Sequence, residues 1–143
     1  MTIKQLTVFL KNSKGSLVEL TDVLAKNDIN IRALSLAETQ EFGILRLIVN
    51  DMPKATAILE QNDYLIKAVD VIGLRISDAP GGLSVALAAL DKADINVEYM
   101  YAFMTCSSQY AYVAIRVADN KAAQKALVDA GLELMTEEDV ADL

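Results

Sequence analysis

Apolar and polar residues alternate from Ile3 to Leu10, the period-two pattern of a strand with one covered face. After Gly15 the period changes. Leu17, Leu20 and Leu24 recur at helical spacing, and Ser16-Leu17-Val18-Glu19 has the form of a capping box at the start of a helix. Two runs, 30–36 and 42–49, predict a hairpin through Glu38-Thr39-Gln40-Glu41. Pro53 suits the first turn of a second helix carrying Ala55, Ile58 and Leu59, and 64–69 predicts a closing strand. The rest of the chain reads the same way, with a strand over 71–76, a helix over 81–92, and strands over 95–104 and 110–117. A helix over 121–130 and a last strand near 132–135 complete the order, and Thr136-Glu137-Glu138-Asp139 predicts the capped start of a short terminal helix.

The second half is a copy of the first. Asn27-Asp28-Ile29-Asn30-Ile31 resembles Ala93-Asp94-Ile95-Asn96-Val97, and Gly15-Ser16-Leu17 matches Gly81-Gly82-Leu83, both at an offset of 66 (81 − 15 and 96 − 30). Residues 44–51 parallel 112–119 at an offset of 68, so the second hairpin is two residues longer. Each copy has the order strand-helix-strand-strand-helix-strand. The predicted class is therefore α+β: two tandem ferredoxin-like βαββαβ modules, 1–69 and 70–143, with antiparallel sheets and helices on one face. The closing strand of the first copy runs into the opening strand of the second with only Gly73 as a break, so the modules are expected to hold a fixed relation.

Composition narrows the chemistry. Among 143 residues, 53% are hydrophobic, enough for a core, and 13 basic residues stand against 20 acidic ones for a net charge of −7. That balance, without a Lys/Arg run, argues against nucleic acid and anionic lipid as partners. No apolar run is long enough to span a bilayer, and the first residues lack signal-peptide architecture, so a soluble cytoplasmic protein is expected. With no histidine, Ser-His-Asp and Cys-His catalysis are impossible, and no metal or cofactor is called for. The single cysteine, Cys106, cannot form an internal disulfide and has nothing adjacent to activate it.

Asp78-Ala79-Pro80-Gly81-Gly82-Leu83, followed by Leu87, Leu90 and Asp94-Ile95-Asn96-Val97-Glu98-Tyr99, resembles the signature of ACT domains. The first copy, Asn12-Ser13-Lys14-Gly15-Ser16-Leu17, is a looser match, with Lys14 where the family usually has proline. The resemblance covers nearly the whole chain as a stand-alone pair. It implies binding of a small ligand, usually an amino acid, where ACT modules meet, and regulation of an enzyme carried on a separate chain.

The residues agree with that chemistry. Gly15 and Gly81 lie at strand-to-helix turns, where a missing Cβ lets a ligand approach backbone N–H groups. The positive end of a helix favours a carboxylate, while Asp78 or the Asn12 carbonyl accepts from an ammonium. Asn30 with Ile31, and Asn96 with Val97, begin the second strand of each copy and are expected near the same turns. Each of these residues also has a plain reading: tight turns for the glycines, helix caps for Asp78 and Asn12.

The run Tyr99-Met100-Tyr101-Ala102-Phe103-Met104 is apolar on both faces, as in a strand covered on both sides or one that turns a ring, Tyr99 first, toward a ligand. Either way its surplus apolar surface predicts assembly, most simply a homodimer. Arg46, Arg75 and Arg116 are placed mid-strand, opposite the helix-packed face, and the acidic C-terminal end is read as solvated surface. Three functions fit: an amino-acid sensor with sites at 12–17 and 78–83, a regulatory or assembly subunit that binds no ligand, and a small enzyme using carboxylate or tyrosine chemistry. The first ranks ahead of the others.

Overall fold

The computed structural model describes residues 1–105 and 107–143, so Cys106 and its expected inertness lie outside the described residues. The elements run β1 (Ile3–Lys11), α1 (Ser16–Lys26), β2 (Ile31–Glu38), β3 (Phe42–Val49), α2 (Met52–Gln61) and β4 (Leu65–Ser77). They continue with α3 (Gly82–Lys92), β5 (Tyr99–Ala102), β6 (Tyr110–Arg116), α4 (Asn120–Asp129), β7 (Glu133–Leu134) and α5 (Glu137–Ala141).

The two predicted strands on either side of Asp70 are one continuous strand. Residues 65–71 of β4 pair antiparallel with β1, and residues 72–77 pair with β6. Gly73 does not interrupt it. Its role is steric, since a Cβ there would stand 2.9 Å from Ile3 Cδ1 and 3.0 Å from Met135 Cβ.

The repeat seen in the sequence is kept in the hydrogen-bond register. Val8 lies opposite Leu45 and Ile66, and its counterpart Leu74 lies opposite Val113 and Leu134. Each module therefore has its own antiparallel four-strand unit, β2-β3-β1-β4 and β5-β6-β4-β7, sharing β4. One face of the first unit carries Leu6, Val8, Leu10, Leu45 and Leu47 against Leu20, Leu24, Ala55 and Leu59 of α1 and α2. The second unit packs Ile72, Leu74, Val113 and Ile115 against Ala86, Leu90, Ala123 and Leu127 of α3 and α4.

The other faces meet each other. Ala33 at the edge of the first unit forms an antiparallel bridge with Phe103 at the edge of the second, and Met104 N–H donates to the Arg32 carbonyl at 2.8 Å. The sheet thus closes into a short, incomplete barrel with its helices outside. Its interior is the third core, where Ile3, Ala33 and Ile48 of one module meet Phe103, Ala114, Met135 and Val140 of the other. Burial of several aliphatic and aromatic side chains in that seam contributes roughly 1.5–3 kcal/mol each.

A polar cluster lies inside the same seam. Gln5, fully buried, donates from Nε2 to Tyr99 Oη (2.9 Å) and Thr7 Oγ1 (3.0 Å), and accepts from Tyr101 Oη at 2.6 Å. The Arg46 guanidinium stacks 3.7 Å above the Tyr99 ring, a cation–π contact. Tyr99, Tyr101 and Phe103 of the run 99–104 therefore face the seam and Met100 the helix-side core, while Ala102 and Met104 stay exposed. The first module thus occupies the tyrosine face of the run, which leaves Met104 as its exposed large apolar side chain.

Several local expectations are corrected. The capping box at Ser16 does not form. Gly15 is the N-cap, at φ 88°, with no side-chain cap, and the Ser16 hydroxyl meets Ser13 Oγ at 2.9 Å instead. The strand expected over 95–104 is only Tyr99–Ala102, because its pairing with β6 starts at Tyr99 opposite Arg116. Val97 consequently joins the helix-side core with Met100 rather than sharing a face with Tyr99. The predicted capped start at Thr136 does form, as a capping box with Asp139. The acidic end is not merely solvated, however: Val140 is buried, Glu137 accepts the Lys4 N–H at 2.7 Å, and the Ala141 carbonyl accepts from Arg32 at 2.8 Å. Helix α5 fastens the two modules at one end of the barrel.

Candidate ligand-binding site

The turn between β1 and α1 follows from its sequence. Ser13 N–H bonds the Lys11 carbonyl at 2.8 Å, and Gly15 takes the left-handed conformation that a side chain rarely adopts. Ser16 N–H then donates to Ser13 O and Glu19 N–H to Gly15 O. The N–H groups of Leu17 and Val18 have no acceptor among the described residues, and they point the positive end of α1 toward the turn.

Beside that turn is a cleft of about 250 Å³. Lys11, Asn12, Ser13, Gly15 and Ser16 form one wall, and Leu10, Leu17, Val18 and Leu36 supply apolar surface. Glu38 and Gly43 close it from the end of the neighbouring hairpin. Gly43 leaves little room for a side chain, since a Cβ there would lie 3.3 Å from Leu36 Cδ1. Backbone donors, a carboxylate and an aliphatic wall stand together, which is the arrangement a small zwitterion requires.

The second turn is built alike but closed more tightly. Asp78 N–H donates to the Gln109 carbonyl (2.9 Å), Gly81 has φ 88°, and Gly82 N–H bonds Ala79 O at 3.0 Å. A Cβ on Gly82 would fall 2.1 Å from the Ser77 carbonyl oxygen, so α3 starts directly against the strand. Pro80 and Leu83 flank this turn. The two turns do not meet within one chain. Phe9, near the end of β1, is level with Leu65 at the start of β4, whereas Asp78 follows the end of β4, thirteen residues on from Leu65. At about 3.3 Å per residue that separates them by roughly 40 Å of strand.

Other expected site residues lie elsewhere. Each strand–helix–strand crossover returns the chain to the far end of the sheet, so Asn30 and Ile31 begin β2 opposite Val49, away from Gly15. Asn30 is held there by Asn50, whose Oδ1 accepts its N–H at 2.9 Å. Asn96 and Val97 likewise precede β5 at the end of module 2 remote from Gly81, and Tyr99 sits in the seam between modules. Leu36, Glu38 and Gly43, which sequence reasoning missed, line the first cleft because the end of β2, not its beginning, lies beside the β1–α1 turn. The parallel relation of β1 and β2 required by a crossover carried that signal.

The arginines stand opposite the helix-packed faces, as expected. Arg46 stacks on Tyr99, Arg75 pairs with Glu133 and stacks on Tyr110, and Arg116 donates to the Asp70 carbonyl at 3.0 Å.

Two ferredoxin-like modules joined through one strand, with a glycine-led turn ahead of the first helix in each, match the model of the ACT domain pair over residues 1–143. The chain belongs to the ACT domain pair family. ACT domain pairs are a regulatory module type. This ACT pair is 37% identical to the protein BT0572 from Bacteroides thetaiotaomicron, covering 100% of this chain and 98% of that one, with a TM-score of 0.92. It shares its fold with the regulatory subunit of aspartate kinase from Thermus thermophilus, at 16% identity, TM-score 0.62 and coverage of 89% and 91%. The corresponding Thermus flavus subunit gives 16% identity, TM-score 0.57 and coverage of 90% and 92%. No match was found among curated protein sequences. No helix among the described residues is long and apolar enough to cross a membrane.

Proposed function

We propose that this ACT pair is a stand-alone sensor that binds a free amino acid and regulates an enzyme on another chain. The observation that supports it is the cleft at the β1–α1 turn, where the unpaired N–H groups of Leu17 and Val18, Glu38, and the Leu10–Leu36 wall converge. The α-carboxylate is assigned to the N–H groups, the ammonium to Glu38, and the side chain to the aliphatic wall. The turn at Asp78–Leu83 is assigned as a second, tighter contact surface. In a homodimer the turns of two chains are brought to a shared junction. Modules 1–69 and 70–143 act as one body, no cofactor or catalysis enters the scheme, and the cytoplasm is the assigned compartment. That regulatory subunits of aspartate kinase share the fold supports a regulated partner in amino-acid metabolism.

The test is a thermal-shift series of the purified chain against each proteinogenic amino acid at millimolar concentration. A ligand at about 100 times its Kd adds about 2.7 kcal/mol, a clear rise in Tm. One selective hit, lost in Gly43→Val, where the added side chain fills the cleft, supports the sensor. A flat response across all of them sinks it and leaves an assembly subunit without a ligand. The uncovered apolar side chains of module 1 favour that second reading.

A further inference from the structure

The cleft at the β1–α1 turn stands on one row of the sheet. Leu10 of β1, Gly43 of β3 and Glu38 of β2 lie opposite one another in the register, on the face that carries the helices. Leu36, two residues before Glu38 on the same face, leans over the glycine, which is why a Cβ there would meet its Cδ1. Leucine therefore flanks the row on both sides, and α1 adds Leu17 and Val18. Leu36 is 49% exposed and Val18 61%, so this apolar surface is left open to solvent.

Charge is scarce in the same place. Among the described residues that line the cleft, Glu38 is the one carboxylate and Lys11 the one cation. Lys11 belongs to the opposite face of β1, with Phe9, because side chains alternate along a strand and Leu10 faces the helices. The hydroxyls of Ser13 and Ser16 are bonded to each other. The set is also peculiar to module 1. At the repeat offsets of 66 and 68, Glu38 corresponds to Met104, Leu36 to Ala102 and Gly43 to Ala111. The register agrees, since Ala102 lies opposite Val113 as Leu36 lies opposite Leu45. Module 2 thus has neither the carboxylate nor the leucine at these positions.

We infer that the cleft of module 1 selects a branched aliphatic amino acid, of the valine, leucine and isoleucine class. This rests on the sensor reading proposed above and names its ligand. The free N–H groups of Leu17 and Val18 take the α-carboxylate and Glu38 takes the ammonium, so no charged group is left for a side chain. An acidic side chain would bring a second negative charge beside Glu38 with no cation facing it. A basic one finds the carboxylate already occupied. Alanine leaves Leu36 and Val18 wet, whereas a branched side chain covers them; three further carbons, partly covered, are worth about 10-fold in affinity or more. A planar ring packs less closely than branched methyls on a wall made of leucine and valine.

Isothermal titration of the full chain with leucine, isoleucine, valine, alanine, phenylalanine, glutamate and lysine tests it. The three branched amino acids are expected to bind at least about 10-fold more tightly than the other four. Leu36→Lys, at a half-exposed position, is expected to weaken leucine by about 10-fold or more and to tighten glutamate. Leu36→Ala, which only shortens the wall, is expected to weaken leucine by about 5-fold and guards against the lysine variant failing to fold. Tightest binding of alanine, phenylalanine, glutamate or lysine overturns the selectivity and leaves the sensor standing. Branched preference unmoved by both variants also overturns it, because the side chain then lies away from Leu36. Absence of binding by every proteinogenic amino acid overturns the sensor and the selectivity together.

Discussion

Tyr101 Oη donates to Gln5 Oε1 at 2.6 Å across 96 positions of sequence, inside the barrel and between the two modules. The bond joins the first strand of module 1 to the second strand of module 2, and Tyr99 completes it by accepting from the same glutamine. Because Gln5 is fully buried, its amide has no water to fall back on. Tyr101→Phe therefore leaves an acceptor stranded, and is expected to cost about 1–3 kcal/mol in denaturant unfolding. Gln5→Leu with Tyr101→Phe together should cost less than the two singles added, because neither buried partner is left unpaired.

The same tyrosine sets an alkaline limit. Burial, then the neighbouring Tyr99, pushes the Tyr101 hydroxyl well above the usual tyrosine range, with Arg46 acting weakly the other way. The folded state holds this proton more tightly than the unfolded chain. Its contribution is complete below about pH 10 and declines as pH rises above that value. Chemical denaturation at pH 8 and pH 11 should show a loss in the wild type that is smaller in Tyr101→Phe.

At the acid end the sign reverses. The backbone N–H and then the side chain of Thr136 hold the Asp139 carboxyl below its ordinary value, with Arg75 adding a smaller effect. Asp139 then favours the folded state above about pH 4 and loses that contribution as pH falls through its folded pKa. In Asp139→Asn the drop in Tm between pH 7 and pH 3 should be shallower. An identical drop refutes the linkage.

The two glycines at the second turn fail for different reasons when substituted. Gly81→Ala meets open space but a left-handed backbone, and is expected to cost about 1–2 kcal/mol. Gly82→Ala drives a methyl to 2.1 Å from the Ser77 carbonyl, which is backbone and cannot step aside. A larger loss, about 3 kcal/mol or more, is expected by urea unfolding. If Gly82→Ala is the milder of the two, the tight packing of α3 on β4 is refuted.

Helix α5 should behave as a fastener. Val140→Asp places a carboxylate in the core shared by Ile3, Val71 and Met135, and is expected to lower stability by at least 2–3 kcal/mol. Proteolysis of the first residues of β1 should speed up as well, since Lys4 loses the Glu137 acceptor.

Much of this architecture was legible because repetition constrains register: a slip of one residue would turn Val8 and Leu74 out of their cores. The motif pair at Gly15 and Gly81 likewise marked both turns, and their positive φ explains why glycine recurs there. What escaped was non-local. Nothing near Ala33 announces Phe103, and an apolar run such as 99–104 reads alike whether its second face meets a ligand, another chain or its own first module. The misplacement of Asn30 came from judging proximity along the sequence, although a crossover moves the chain to the other end of the sheet. Val140 and Leu143, three apart within an acidic tail, were a small amphipathic signal outweighed by the charge around them.

The unbroken strand β4 governs how the molecule can be divided or made. Its first seven residues finish one sheet and its last six found the next. A cut anywhere along it strips a strand from one neighbour or leaves the other with raw, unpaired backbone. During synthesis, module 1 cannot be sealed until the chain reaches Val71, and by Ser77 the template for module 2 is already in place. The duplicated halves are therefore built in a fixed order from a common beam, and neither can be removed intact.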